Sequence, residues 1–395
     1  INMNTRLEKF KTETQEIKAL ANGQWPRILG NLIPAIRDAC DGFTPNKRPS
    51  CGCPYHNSKS NDSFRLLKRA EEVGSAGCFT CGVWNDGFEL LMHDRSISFS
   101  EAVKLVGSEV GYYDLSGQAS EAAKIEADKA QARWEKKREE QAVKDKQTKV
   151  RMLKRLSDIW NECFDLEAPE SEPARLYFQN RGLGNVGNLN SEVVFHPSLE
   201  YYMETLDANG KKNFSLYGRF PAIIAQIRDP NGVPVRIHRT YITLDGHKLQ
   251  APDNSPKKMS PEIPQTSISG GAIQLSPAGT KVIGIGEGLE TTLAAAAATR
   301  MPVNCCINAQ LLGDWLPAEG TEYVFVFADK DASKTGEMAA NKLAKRLEEY
   351  GVTVFILYPP LEIEGDSKGV DWDDAYRVLG KAAFPEQAMN WQELL

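Results

Sequence analysis

Tyr323-Val324-Phe325-Val326-Phe327-Ala328-Asp329-Lys330-Asp331 is the stretch on which the fold turns. Its apolar part is unbroken, so it reads as a strand covered on both faces; a strand with one face in water would alternate polar and apolar side chains. Two acids follow at once, spaced so that both leave the same side of an extended segment and are able to share a cation. Working outward, 281–285, 303–307 and 352–358 are further apolar runs of strand length, and 289–300 and 335–350 between them have helical character. That alternation predicts a parallel, doubly wound sheet. Ligands of such sheets lie beyond the carboxyl ends of the strands. Glu287 stands just past the first run, Asp329 and Asp331 just past the third, and Asp371, Asp373 and Asp374 follow the fourth. Mg²⁺ takes one or two carboxylates together with water and substrate phosphate. Glu287, Asp329 and Asp331 are therefore the candidate Mg²⁺ or Mn²⁺ site, with Asp371 and Asp373 completing a second metal position. Acids at strand ends also cap helices, an explanation that weighs most on Asp373 and Asp374.

A second informative spacing lies far upstream: Cys53-x2-His56-x21-Cys78-x2-Cys81. Two ligands separated by two residues form a knuckle that aims both side chains at one ion, and two knuckles across a loop close a tetrahedron around Zn²⁺. Pro54 and Tyr55 fill the first knuckle, Gly82 lets the second turn, and Asn85, Asp86 and Gly87 make a further turn, as a zinc ribbon over about 48–84 requires. Cys51 is near enough to replace Cys53 or His56; the Cys53/His56 pair is preferred because Cys-x-Cys spans one ion less comfortably. Cys40, Cys163, Cys305 and Cys306 read as small core residues.

At 395 residues the chain has room for two or three domains, and 25% charged with 41% hydrophobic residues is a globular composition. No apolar stretch approaches a membrane span and no signal peptide opens the sequence, so a cytoplasmic protein with reduced thiols is expected. A net charge of −6 does not advertise nucleic-acid binding; such contact must come from local basic patches. The expected fold class is multidomain α+β. It divides into an N-terminal helical segment (1–45), a zinc-ribbon domain (46–112), a charged helical linker (118–168), a β-rich basic subdomain (169–276), an α/β domain (277–362) and a C-terminal acidic motif with a helix (363–395). The linker is rich in Ala, Glu, Lys, Arg and Gln and reads as one solvated helix. Its end carries an apolar stripe, Met152, Leu153, Leu156, Ile159, Trp160 and Phe164, able to dock on a domain.

Glu287-Gly288 after one hydrophobic strand and Asp329-Lys330-Asp331 after another resemble the Toprim domain shared by bacterial primases, topoisomerases and some nucleases. Cys53-Pro54-Tyr55-His56 and Cys78-Phe79-Thr80-Cys81-Gly82 are similar to the CHC-type zinc domain of bacterial and phage primases. Between them, 220–229, 236–239 and 256–259 resemble the basic subdomain that precedes Toprim in primases of plasmids and phages. The resemblance implies a primase-type catalytic core with a Rossmann-like Toprim domain, joining NTPs into short RNA primers on single-stranded DNA. It implies Glu287 as general base or metal ligand, Asp329 and Asp331 as ligands of the catalytic Mg²⁺, and Asp371 and Asp373 nearby. Arg219, Arg239, Lys257 and Lys258 would hold nucleotide phosphates or template. On the ribbon, Arg65, Lys68 and Arg69 would attract phosphates; Tyr55 and Trp84 would stack on bases, with Phe64 assigned to the core. Replicative primases often carry an acid four residues after the Toprim glutamate; here Thr291 stands there and Glu290 one position early. No Gly-x4-Gly-Lys-Ser/Thr loop occurs, so a separate replicative helicase is expected in trans. The competing readings are a Toprim-type metal-dependent nuclease and a non-catalytic single-strand DNA-binding protein of a mobile element.

Overall fold

The computed structural model describes residues 3–56, 61–78, 80–114, 118, 120–184, 192–206, 212–363, 365 and 368–395. Phe79 and residues 57–60 of the ribbon motif lie outside the described residues. The chain divides into two compact units, Ile1–Lys144 and Asp145–Leu395, and the helix Glu121–Asn161 runs from one into the other. No helix is long and apolar enough to cross a membrane.

In the first unit the strands Ser50–Cys51, Phe64–Leu66, Ala76–Cys78 and Gly82–Trp84 form an antiparallel sheet in chain order. Helices Met3–Ala21, Trp25–Leu32, Gly87–Arg95 and Phe99–Glu109 share a single core with it, around Ile17, Trp25, Ile28, Phe64, Trp84, Phe88 and Val103. The helical start of the chain is thus part of the ribbon's core. Trp25 lies so close to Gly87 that a Cβ there would meet the indole at 2.2 Å, which leaves glycine as the residue that fits. Ser98 is the N-cap of the Phe99–Glu109 helix, in a capping box with Glu101.

In the second unit the strands Val303–Cys305, Val282–Gly286, Tyr323–Phe327 and Thr353–Leu357 lie side by side in that order, all parallel. Alternate residues of each strand feed two cores. Val282, Phe325 and Phe327 pack with helices Leu289–Thr299 and Trp372–Leu379; Ile283, Ile285, Val324 and Val326 pack with Ala309–Asp314 and Thr335–Glu348. This is the three-layer, doubly wound arrangement that the alternation of runs implies. Before it comes a five-stranded antiparallel sheet built on the long hairpin Val193–Leu206/Lys212–Arg228, with Pro234–Tyr241 and Lys257–Met259 beside it. One face of that sheet, with Phe195, Ile223, Ala225 and Ile227, joins the core of the Leu289–Thr299 helix. The other face, with Val194, Tyr201, Ile224 and Tyr241, receives Leu156, Ile159 and Trp160 from the end of the long helix, so its apolar stripe docks there.

Candidate functional site

The thiol and imidazole ligands converge. Cys53 Sγ and Cys81 Sγ are 3.8 Å apart, His56 Nδ1 is 3.2 Å from Cys81 Sγ and 3.8 Å from Cys78 Sγ, and the four ligand atoms lie within 4.8 Å of one another. A tetrahedron with Zn–S bonds of about 2.3 Å has S···S edges of about 3.8 Å, so the donor set and its spacing fit a structural Zn²⁺. The choice between Cys51 and Cys53 resolves in favour of Cys53. Cys51 belongs to the first strand, pairs with Phe64 and is buried. Around the tetrad, Tyr55, Phe64, Trp84 and His93 pack edge-on or tilted at centroid separations of 4.8 to 6.4 Å. Base stacking by Trp84 and Tyr55 is corrected accordingly: Trp84 is buried, and the Tyr55 hydroxyl donates to Asp94, so these rings are the ribbon's small core. Lys68 and Arg69 are exposed, Arg69 pairing with Glu72 at 3.2 Å, while a guanidinium N–H of Arg65 donates to the Asp62 carbonyl.

The carboxylates are brought together by a different device. Immediately after the third parallel strand, Lys330–Asp331 pairs antiparallel with Gly369–Val370, Lys330 opposite Val370 and Asp331 opposite Gly369. That pairing brings the stretches that carry Asp329 and Asp371 together, and the charge of Asp371 reaches Asp329. A Cβ at Gly369 would stand 2.7 Å from the Lys330 carbonyl oxygen, so the approach of the two strands depends on glycine there. Burial, then the charges of Asp371 and Glu287, push the Asp329 carboxyl up to about 8; Thr291 Oγ1, 3.4 Å from it, pulls slightly the other way. Glu287 is raised by burial and by Asp331, against the N–H of Ala309, and Asp371 is raised by burial against the N–H of Asp374. Mutually repelling, half-buried carboxylates at the ends of parallel strands are a hard-oxygen donor set that a divalent cation would relax, and to that extent they fit Mg²⁺ or Mn²⁺.

Not all the candidate ligands are equal. Asp331 is raised by burial but held low overall by Ser333 Oγ at 2.5 Å and the N–H groups of Gly336 and Thr335 at 3.0 and 3.2 Å, so it also caps the Thr335–Glu348 helix. Glu287, Asp329 and Asp331 do not close as a trio within 4.8 Å; the acidic group that does, among the described residues, is Asp371, Asp373 and Asp374. That group has a structural explanation. Asp371 is the N-cap of the Trp372–Leu379 helix, in a reciprocal box with Asp374, and Asp373 is buried against Arg181 and Arg377. Asp373 uses one oxygen, Oδ2, for both arginines and leaves Oδ1 buried without a hydrogen-bond partner, while the charge of Asp371 reaches Asp329.

The basic residues separate in the same way. Lys257 and Lys258 are neighbours on one strand and consequently face opposite sides of the sheet. Lys258 binds Asp253 at 2.8 Å and lies over Tyr201, on the side where Arg239 donates to the Met259 carbonyl, and Arg219 pairs with Glu200 at 2.7 Å. Lys257 points to the carboxylate side and is bound at 2.6 Å by Glu290, which Tyr177 Oη also approaches at 2.6 Å. Glu290 is fully buried. Burial alone would raise its pKa, but Lys257 and Tyr177 hold it well below the usual carboxylate range. Sequence reading passed over Glu290 as a misplaced family acid. The signal was present: it is a lone carboxylate in the Leu289–Thr299 helix, whose composition is otherwise that of a core helix, and such a group survives only when paired. Lys248 was missed too. It is exposed as a residue, yet its ammonium is crowded enough by protein, and near enough to Lys257, to be held below the usual lysine value, with Glu290 opposing.

Comparison with known families decides what the sheet is. The Toprim domain model matches residues 282–382. Residues 282–382 form a Toprim domain. The match covers both Glu287 and the Asp329/Asp331 pair, and it extends through Asp371 to the helix that Asp371 caps. A domain of unknown function (DUF7146) matches residues 150–270, the antiparallel sheet that precedes the Toprim domain together with the end of the long helix. No curated protein matches the sequence. Among solved structures, the chain is similar to the zinc-binding and RNA polymerase domains of Aquifex aeolicus primase (17% identity, 95% of this chain and 85% of that chain, TM-score 0.40). It is also similar to a DnaG primase catalytic domain bound to ssDNA (19%, 63% and 82%, 0.41) and a Pseudomonas aeruginosa DNA primase domain (16%, 55% and 72%, 0.37).

Proposed function

We propose that the protein is a DNA-templated primase that joins ribonucleoside triphosphates into short primers on single-stranded DNA. The observation that carries this reading is the burial of Asp329 within reach of the charges of Asp371 and Glu287 at the strand ends of a Toprim domain, in a chain that also holds a Cys3His tetrad resembling the CHC-type ribbon. The reaction forms a bond between the 3′-oxygen of one nucleotide and the α-phosphorus of the next, and breaks the bond to the leaving pyrophosphate. Glu287, kept partly protonatable by burial, takes the hydroxyl proton. Asp329, with Asp331 and Asp371, would hold Mg²⁺ or Mn²⁺, which when bound supplies charge for the attacking and leaving oxygens. Lys248 would meet the triphosphate, with Lys257 held by Glu290. Lys68 and Arg69 of the ribbon attract template phosphates. A replicative helicase is the proposed partner for unwinding, and a plasmid or phage setting agrees with the resemblance of the preceding subdomain.

The test is direct. Single-stranded DNA, Mg²⁺ or Mn²⁺ and labelled NTPs given to the purified chain should yield short RNA products, lost in Glu287→Gln and Asp329→Ala. Degradation of the DNA without synthesis would move the assignment to a Toprim nuclease. Binding of the strand with neither reaction, unchanged in Asp329→Ala, would leave a single-strand-binding protein.

A further inference from the structure

A cavity of about 190 Å³ opens at the opposite end of the parallel sheet from the carboxylates. Glu287 follows the carboxyl end of the Val282–Gly286 strand, whereas Ile283, near the amino end of the same strand, lines the cavity. Trp315, 3% exposed, and Leu316 supply further apolar wall. Two polar atoms among the lining residues are buried and have no hydrogen-bond partner: Asn304 Oδ1 and Thr280 Oγ1. Asn304 is 8% exposed. A buried amide oxygen without a donor is rare in a folded protein and marks a place that something else completes.

The lining also says what that something is. Asp229 is the sole ionisable residue among those lining the cavity, and its Oδ1 already accepts the N–H groups of Asn231 and Val233 at 2.9 Å each. With no cation in the wall, a phosphate has nothing to meet its charge. Size sets the other limit. A cavity of about 150 Å³ admits benzene, so this one has room for a single ring system with small substituents.

We propose that this cavity binds an uncharged heterocycle of nucleobase size, a ring N–H donating to Asn304 Oδ1 and a ring acceptor facing the Thr280 hydroxyl. The site is independent of the phosphoryl-transfer reading, because it shares no residue with the carboxylates.

The experiment is calorimetric and ligand-observed NMR titration of the full chain with uracil, cytosine and adenine, and with the monophosphate of whichever binds. One base should bind saturably, at least tenfold more weakly to Asn304→Leu, and undetectably to Ala318→Trp, a substitution at an exposed rim residue that blocks the mouth without entering the core. Binding should be unchanged in Asp329→Ala, and the monophosphate should bind no better than the base. The proposal falls if no base binds up to its solubility, leaving only ordered water to serve Asn304. It falls equally if binding survives in Ala318→Trp, if it disappears in Asp329→Ala, or if the monophosphate binds more tightly.

Discussion

The chain holds two polar centres built on opposite principles. In the ribbon, every ligand is within 4.8 Å of the others, and among the described residues none has a competing structural partner of opposite charge. At the Toprim carboxylates the acids come from separated stretches, and several already serve the fold: Asp331 caps one helix, Asp371 and Asp374 another, and Asp373 neutralises arginines. Under the proposed function, the difference follows from what each centre is for. A structural zinc site is closed and is itself the tertiary contact that holds short strands together. A site for phosphoryl transfer must keep coordination open to substrate, so its protein ligands are few, and the acids around them are free to take on capping and pairing roles.

The largest expected effect tests the closed centre. Removing the metal with a chelator, or Cys78→Ser, should abolish the thermal transition of the Ile1–Lys144 unit while that of Asp145–Leu395 persists, because zinc-binding energy in small domains is folding energy, on the order of 10 kcal/mol. Two-transition calorimetry with metal analysis reads this. A single unaltered melt would mean the tetrad does not hold the unit together. Next in size is Asp329→Ala, which should lower synthesis by about a thousandfold or more, ~4 kcal/mol of transition-state stabilisation, without changing the zinc content.

Stability against pH sharpens the contrast from the other side. The folded pKa of Asp329, about 8, lies above its unfolded value, so the metal-free protein gains from keeping this group protonated. That stability is intact below pH of about 4 and is lost as pH rises through about 8. Asp329→Asn, which cannot ionise, should therefore stabilise the metal-free protein at pH 8 by on the order of 2 kcal/mol and flatten the slope between pH 5 and 8. An unchanged slope in chemical denaturation would show that Asp329 is already charged in the free protein.

Legibility in the sequence followed the range of the interactions. The tetrad was readable because its two knuckles are local, and the parallel sheet was readable because both-face burial leaves unbroken runs such as Tyr323–Phe327. The outer half of the Val193–Leu206/Lys212–Arg228 hairpin was not. Its residues 213–217 are exposed, so no alternation marks them as strand. The helix Ala309–Asp314 escaped notice for its brevity, although Asn308 caps it. Pairing of Lys330 with Val370 joins segments some forty positions apart, and no periodicity announces such a contact. For the same reason the opposite orientations of Lys257 and Lys258 emerged only with the strand they share. Glu290 stands one position away from where replicative primases often carry an acid, so a family pattern does not mark it; its mark is physical, a carboxylate in a buried helix.

The smallest effect separates cap from ligand. Asp374→Ala removes half of the reciprocal box at the start of the Trp372–Leu379 helix and one partner of Arg377, and a lost cap costs about 1 kcal/mol. If Asp374 only caps, the variant should melt a few degrees lower yet synthesise primers within about threefold of the parent at saturating Mg²⁺, with the Mg²⁺ dependence unshifted. Asp371→Asn should behave differently. It keeps an oxygen to accept the Asp374 N–H, so the cap survives, but it removes the negative charge that reaches Asp329. Its melting temperature should stay near the parent's while the Mg²⁺ concentration for half-maximal activity rises about tenfold. Should both variants lose activity with the same shift in Mg²⁺ dependence, the converged Asp371, Asp373 and Asp374 group would be the metal site after all.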